Sequence, residues 1–366
     1  MPEQIKSDLQ PFSEMAAKFA LAALGEKRQE HDRYPHGELY LDAVRQAREL
    51  GLFGVTLPAE CGGNGLGLDV LCVILDEISR VDASMAGIIF THTFAQEVVL
   101  AAAYPDRLRD IDSLMAFPSF GNPAEAGHIP AAARNGDGYV LDGSLDFLVL
   151  GSLASWAIIP AKIRDREEFS FFLVRLDRDG IMKSGPVQSL GMHACPAVDI
   201  GFNAVPADIV GGEDCGPQYF EAAADRLFTA AAAISSGIMK GAFREASEYS
   251  MERVQGGRVI ANWSALRMIL AEIAVKVEIA DMAVTRACAS VMEGSPRARV
   301  QARAAALHVQ ELSTSLTTDG IQVLGGYGYM KDFGQEKRFR DAKQAQSLLG
   351  IVPIKKLKLV EYLAGE

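Results

Sequence analysis

The 366-residue sequence lacks a basic excess and long apolar runs, and each absence excludes a class of protein. Its 36 Lys and Arg residues are outnumbered by 47 Asp and Glu, which gives a net charge of -11. Without surplus positive charge to neutralise phosphates, a nucleic-acid partner is not expected. No uninterrupted apolar run reaches about 18 residues, so the sequence predicts no membrane-spanning helix.

Cysteine is also scarce. The five cysteines are scattered, odd in number and without CxxC spacing. This pattern favours reduced thiols that pack in the interior over a disulfide framework or a zinc site, and no metal is predicted. The segment MPEQIKSDLQPFSEM carries acids and no apolar stretch, unlike a secretory or Arg-rich targeting segment. We therefore expect a cytoplasmic protein.

The hydrophobic pattern divides the chain into three parts. Residues 1–113 show helical spacing, as in YLDAVRQARELGLFG with Gly51 as a stop signal, and predict an α-helical domain. Residues 114–217 contain short alternating segments bounded by turns such as NGDG and DRDG, which predict a β domain. Residues 218–366 return to long helical periods with alanine-rich faces, which suit a helical bundle.

Four motifs, in this order along the chain, resemble those of the acyl-CoA dehydrogenase family. They are LGLFGVTLPAECGGNGLGLD, GYVLDGSLDFLVLGSLASW, LGMHACPAVDIGFNAVPAD and IQVLGGYGYMKDFGQEKRFRDAK, the last similar to the family's QxxGGxGY…RDAK signature. The resemblance covers nearly the whole chain. It implies an α+β multidomain fold: an N-terminal helical domain, a central β-barrel domain and a C-terminal four-helix bundle. It also implies FAD as cofactor and an acyl-CoA thioester as substrate.

The family's reaction needs a base that this sequence lacks at the usual positions. A carboxylate removes a proton beside the thioester carbonyl while flavin N5 accepts a hydride from the next carbon, so that the thioester is desaturated. The resemblance places the glutamate positions at Leu349, after RDAK, and at Leu227, on the first long helix of the bundle. Leucine cannot accept a proton. His92 and Asp225 are alternative candidates, with packing and substrate binding, respectively, as their simpler interpretations.

The positions that would contact this chain's own flavin also depart from the family. Gly121, next to Phe120, stands where the family has a flavin-bonding threonine. In the hairpin, Phe147 could still pack on a ring, but Val149 offers no hydroxyl to flavin N5. The sequence therefore predicts an altered flavin contact on this side.

The positions that would hold a neighbouring subunit's flavin are retained. In the family the FAD lies across a dimer interface, and the neighbour holds its ADP half through an arginine and the QxxGGxG segment. An arginine can pair bidentately with a diphosphate, and glycines let backbone N–H groups approach it. The corresponding residues here are Arg253, Gln322, Gly325, Gly326 and Gly328.

The cations that follow this loop have a simpler interpretation. Arg338, Arg340 and Lys343 could surround an anion, but each alone is more typical of an ion pair within the bundle. Neighbouring acids suited to such pairs are Asp332, Glu336 and Asp341.

Four functions remain open at this point. The favoured one is a subunit of a heteromeric acyl-CoA dehydrogenase, dimeric or tetrameric, that completes a sibling's FAD site and passes electrons to an electron-transfer flavoprotein. The second is a self-sufficient dehydrogenase with a relocated base, acting on an unusual cyclic or branched acyl-CoA. The third is a non-redox acyl-CoA lyase or decarboxylase, and the fourth a binding protein, because a fold does not determine its chemistry.

Overall fold

The N-terminal part is helical, as predicted. The computed structural model describes residues 3–25, 28–33, 38–111, 113–118, 121–125, 127–136 and 138–364. The N-terminal helices are α1 (Glu3–Ala20), continued by a π-helical turn (Leu21–Gly25), α2 (Arg28–His31), α3 (Glu38–Glu49), α4 (Leu68–Ser79) and α5 (Ala83–Ala101). Helix α5 is buried over nearly its whole length, which is typical of a helix that is apolar on every side.

The ends of the first helices can be compared with the signals in the sequence. Gly51 terminates α3 as predicted: it adopts φ +73°, and its N–H donates to the Arg48 carbonyl. The first helix begins at Glu3. Pro11 lies within this helix on its exposed side, where the ring does not interrupt packing.

The central part is a sheet that closes on itself. Strand β3 pairs with β7 along most of its length, from Tyr139 opposite Ala207 to Val149 opposite Ala197. Strand β7 pairs with β5, β5 with β4, and β4 with β1 and β2, both of which return to β3. The strands are β1 (Met115–Pro118), β2 (Ala131–Asn135), β3 (Gly138–Val149), β4 (Trp156–Ile163), β5 (Phe169–Arg175), β6 (Ile181–Pro186) and β7 (Ala197–Val210). The ring of pairings confirms the predicted barrel-like sheet.

The C-terminal part is helical again. Helix α6 packs against α4, α5, α7 and α8, so it joins the first and last parts of the chain into one core. Its alanine-rich sequence allows this close approach from several sides. The elements are α6 (Gly216–Glu252), a hairpin of β8 (Val254–Gln255) and β9 (Arg258–Val259), α7 (Ser264–Met292), α8 (Ala298–Leu324), α9 (Gln335–Ala345) and α10 (Val352–Ala364). Among the described helices, none combines the length and apolarity that crossing a membrane requires.

Candidate functional site

The glycine-rich loop directly follows α8 and faces solvent. Residues Gly325–Tyr329 form a short 3₁₀ turn that begins with Gly325 at φ +60°. A Cβ added at Gly325 or Gly326 would meet no atom within 4 Å, so the backbone there is open to a ligand. Gly328 instead serves packing, because a Cβ at this position would lie 2.4 Å from the Ile321 carbonyl oxygen.

Arg253 lies beside this loop. It follows α6 directly, and its guanidinium carbon is 5.1 Å from the centre of the Tyr327 ring, in the middle of the glycine turn. Within the described ranges, no carboxylate lies at ion-pair distance from Arg253. Gln322, one turn before the loop, is exposed. The structure thus brings together the predicted cofactor residues of α6 and α8.

These residues fit the diphosphate of FAD. Arg253 is half-buried and has no carboxylate partner in the described part of the chain, so its guanidinium can pair with an anion. The open backbone of Gly325 and Gly326 allows N–H groups to approach it. In this arrangement Arg253 would supply charge, and the turn would supply close backbone contact.

The other cations of the signature are used inside the protein. Arg338 makes a bidentate pair with Glu245 of α6, with N–O distances of 2.8 and 2.9 Å. Lys337 is buried between Asp341 at 2.6 Å and Asp82 at 3.4 Å. Burial alone would lower the pKa of Lys337, but the two carboxylates raise it. These pairs fix α9 on the helical core.

Arg340 is anchored in the same way. Its guanidinium lies 2.6 Å from Glu336 and 2.6 Å from Asp32. Lys343 is exposed and donates to the side-chain oxygen of Gln346 at 2.9 Å. Of the arginines Arg253, Arg338 and Arg340, Arg253 is the one that has no carboxylate partner among the described residues.

The two positions of the family's glutamate are buried in apolar surroundings. Leu227 is completely buried, and Leu349 is buried with a backbone φ of +62°. Leu349 faces a cluster of phenylalanines from three elements: Phe94 of α5, Phe117 of β1 and Phe220 of α6. No proton acceptor occupies either position.

The phenylalanine cluster fills the space in front of Leu349. The ring centre of Phe94 is 4.9 Å from that of Phe117 and 5.3 Å from that of Phe220. The cavity left between these rings, Gly121 and Leu349 measures about 10 Å³. Such a volume holds roughly one water molecule, whereas ligand pockets usually measure ~300 Å³ or more. An acyl chain does not fit between the described residues.

His92 links α5 to the sheet. The Met115 N–H donates to its Nδ1 at 3.0 Å, Gln96 Nε2 lies 3.0 Å from its Nε2, and Phe53 packs edge-on against the ring. Burial, with a smaller contribution from the charge of Arg48, lowers the pKa of His92 to about 3. This geometry favours packing over the role of a base.

Asp225 lies in an ionic cluster between α6, α8 and α10. Its carboxylate accepts hydrogen bonds from Arg299 at 2.8 Å and from Arg303 at 2.6 Å. Arg303 also pairs with Glu221 and lies over the rings of Phe228 and Tyr362. The Asp225 carboxylate is therefore already paired with two guanidinium groups, although the resemblance assigned it to substrate binding.

The positions on this chain's own flavin side form part of the sheet. Phe147 is half-buried at φ +64°, and its N–H donates to Asp199 at 3.0 Å. Val149 is completely buried opposite Phe117. Gly121 lines the small cavity, and Phe120 lies outside the described residues. Phe147 retains some exposure with which to contact a ring.

Sequence reasoning missed Glu97 and the phenylalanine cluster. Glu97 lies on α5, one turn beyond Phe94, and it is buried against Arg226 at 3.2 Å and the Thr56 hydroxyl at 3.2 Å. Burial raises the pKa of Glu97, although Arg226 and Thr56 lower it in part. A buried carboxylate with a raised pKa is a candidate proton acceptor. The segment FTHTFAQE contained this signal.

Comparison with known proteins agrees with the motifs and the architecture. Residues 6–105 match the acyl-CoA dehydrogenase N-terminal domain, and residues 222–355 match the C-terminal domain. Cyclohex-1-ene-1-carbonyl-CoA dehydrogenase of Geobacter metallireducens is 30% identical over 321 residues, which cover 82% of this chain and 84% of the relative.

Two solved structures have the same fold. Butyryl-CoA dehydrogenase from Megasphaera elsdenii superposes with a TM-score of 0.88 at 22% identity, over 97% of this chain and 98% of the other. A chain in the structure of the electron transferring flavoprotein of Acidaminococcus fermentans gives 0.88 at 25% identity, over 97% of both chains. The chain therefore belongs to the acyl-CoA dehydrogenase family, whose members are FAD-dependent oxidoreductases acting on acyl-CoA.

Proposed function

We propose that this chain is the non-catalytic subunit of a heteromeric acyl-CoA dehydrogenase and that it completes the FAD site of a sibling subunit. The observation that carries the proposal is a contrast within one chain. Arg253 and the turn at Gly325 and Gly326 are open and able to hold a diphosphate. The space in front of Leu349 is filled with phenylalanine rings.

The division of labour follows from this contrast. Bound FAD supplies the hydride acceptor, and the sibling supplies the glutamate and the acyl pocket. Arg253 binds the diphosphate across the interface, the glycine turn admits it, and the ion pairs of Arg338 and Lys337 keep that turn in place through α9. This chain then contributes cofactor affinity and no proton transfer.

An exposed apolar stripe on α7 supports association with a second subunit. Met268, Val275, Ile279 and Met282 are all more than 40% exposed and recur on one face of the helix. Exposed apolar surface arranged in this way is typical of a protein interface. The same interface would bring Arg253, at the start of the hairpin before α7, close to the sibling.

The reduced sibling needs an electron acceptor. We propose an electron-transfer flavoprotein, as the family resemblance implies. The fold match to a chain from the electron transferring flavoprotein structure of Acidaminococcus fermentans supports this choice. A faster turnover with added electron-transfer flavoprotein than with a dye alone would test it.

Flavin stoichiometry tests the proposal. The chain is co-expressed with family members that retain the glutamate after RDAK, the complex is purified through a tag on this chain, and released FAD is counted. We expect a stable heteromer with one FAD for every two chains. A homo-oligomer of this chain with one FAD per chain that oxidises an acyl-CoA would contradict the proposal.

A second candidate is a self-sufficient dehydrogenase for a cyclic acyl-CoA. The 30% identity to cyclohex-1-ene-1-carbonyl-CoA dehydrogenase favours it, and Glu97 is a carboxylate that could act as its base. It requires Phe94 and Phe117 to move apart to admit the ring. Turnover of a cyclic acyl-CoA by the isolated chain, abolished in Glu97→Gln, would establish this candidate.

A further inference from the structure

A cavity of about 490 Å³ lies between α1, α4, α6 and α7. None of the residues that line it belongs to the flavin or acyl-CoA positions described above. Its walls combine apolar side chains with charged groups and two of the five cysteines. The proposed function leaves this cavity unexplained.

Three sulfur atoms line the cavity, two from α7 and one from α4. Cys288 and Met292 are one turn apart on α7, with 3.9 Å between Sγ and Sδ. Cys72, on α4, belongs to the same lining as Cys288 and is close enough to interact with its thiol. Both thiols are nearly buried and reachable through the cavity, whereas Met292 is 52% exposed.

The separation of the Cys288 and Met292 sulfurs, 3.9 Å, suits two ligands of one metal ion. With metal–sulfur bonds of about 2.3 Å, three sulfur ligands in a plane around one ion lie roughly 4 Å apart. Two thiolates and one thioether form a soft ligand set, which selects Cu(I) over harder ions. In the described part of the chain, no group of three His, Cys, Asp or Glu side chains could hold a metal, so a conventional zinc site is not available here.

The charge of the cavity also favours a cation. Its lining includes five carboxylates and only two cationic side chains: Asp69, Asp76, Glu77, Asp281 and Glu293 against Arg80 and Lys240. Lys240 is already held by Asp76 at 2.9 Å and Asp281 at 2.6 Å. The remaining negative field would raise the local concentration of a positive ion.

We propose that Cys72, Cys288 and Met292 form a binding site for Cu(I), which enters through this cavity. The ion forms bonds to both thiolates and to the thioether, each thiol releases its proton to solvent, and no electron is transferred. The site is independent of the flavin, so its loss would leave the proposed subunit function unaffected.

Anaerobic titration of the full-length chain with Cu(I), in competition with a chromophoric Cu(I) chelator, tests the site. We expect one tightly bound ion per chain and three sulfur neighbours in X-ray absorption spectra. Cys72→Ser and Cys288→Ser should each weaken binding by more than about a hundredfold, and Met292→Leu by about tenfold. Cys195→Ser, which removes a buried cysteine outside the cavity, is the matched control and should bind as the wild type does.

Unchanged affinity in both Cys72→Ser and Cys288→Ser would overturn the proposal, as would an equal loss in Cys195→Ser. Because a buried cysteine variant can fail to fold, Met292→Leu provides an independent test of the site. Its side chain is half-exposed and remains apolar, so the chain should fold. If this variant keeps full affinity and three sulfur neighbours, the assignment of Met292 is wrong.

Discussion

The glycine turn beside Arg253 and the phenylalanine cluster beside Leu349 belong to the same chain, but they have opposite physical characters. At the turn a cation and two glycines are accessible, and a Cβ on either glycine would meet open space. At the cluster three rings close the space down to about 10 Å³. One region is open to solvent, and the other is packed as a hydrophobic core.

The difference teaches how the two halves of a shared site can separate. A site that spans two subunits has one set of residues that serves the neighbour and another that serves the chain itself. Under the proposed assignment, the first set keeps its polar groups, while the second set consists of buried apolar side chains. The predictions below test each side of this comparison.

The largest effect is expected in the phenylalanine cluster. Phe117→Ala should destabilise the chain by about 3–5 kcal/mol, because it removes a buried ring and leaves a cavity. Phe147→Ala, at a half-buried position, should cost about 1 kcal/mol or less. Urea unfolding of both variants measures the difference. A cost below about 1 kcal/mol for Phe117→Ala would indicate a pliable pocket instead of a packed core.

The next effect concerns acid stability and His92. The pKa of His92 is lowered to about 3 in the folded chain, so the unfolded chain binds a proton below pH ~6.5 while the folded chain does not. Stability should therefore be fully present above pH ~6.5 and fall by up to about 1.4 kcal/mol per pH unit towards pH 3. His92→Gln should flatten this slope, whereas His128→Gln, at an exposed position, should not.

The same variant separates packing from catalysis. Turnover of the purified complex should be unchanged in His92→Gln once the chain is folded. Loss of turnover with normal flavin content would show that His92 acts in the reaction.

A smaller effect is expected at the open glycine turn. Gly326→Val should leave unfolding nearly unchanged, because its Cβ would meet no atom within 4 Å in the isolated chain. It should still lower the FAD affinity of the complex about tenfold by blocking backbone approach. Gly185→Val, at another open glycine on β6, is the control. Equal flavin retention in both variants would show that the glycine turn does not contribute to FAD binding.

The smallest effect is expected on this chain's own flavin side. Gly121→Thr restores the hydroxyl that the family places there, yet turnover of the complex should not change, since the neighbouring space is closed. Steady-state rates with an acyl-CoA and an electron acceptor measure this. A clear gain in turnover would mean that this chain's own site participates.

The sequence was sufficient for the features that depend on local patterns. Helical spacing identified α3, Gly51 marked a helix end, and the turn signals separated strands β3, β4 and β5. The motif order led to the correct fold. These assignments could be made from the sequence because the residues within each segment favour a helix or a strand.

The sequence was insufficient where distant segments meet. Phe94, Phe117 and Phe220 come from a helix, a strand and another helix, and no spacing within any one of them indicates that their rings touch. The partner of Arg338 is Glu245 on α6, not one of the acids close to it in sequence. Such contacts are set by packing between elements and become visible only in three dimensions.

The most direct test of the shared-site account is the affinity of the purified complex for FAD when Arg253→Ala is compared with Arg258→Ala. Arg258 is an exposed arginine in the neighbouring hairpin that stacks on Trp263, so its loss controls for a general change of charge. Arg253→Ala should lose about 1.5–3 kcal/mol of binding, a tenfold to hundredfold weaker affinity, whereas Arg258→Ala should bind FAD normally. Full FAD affinity in Arg253→Ala, together with abolished turnover in Asp225→Asn or His92→Ala, would contradict the account.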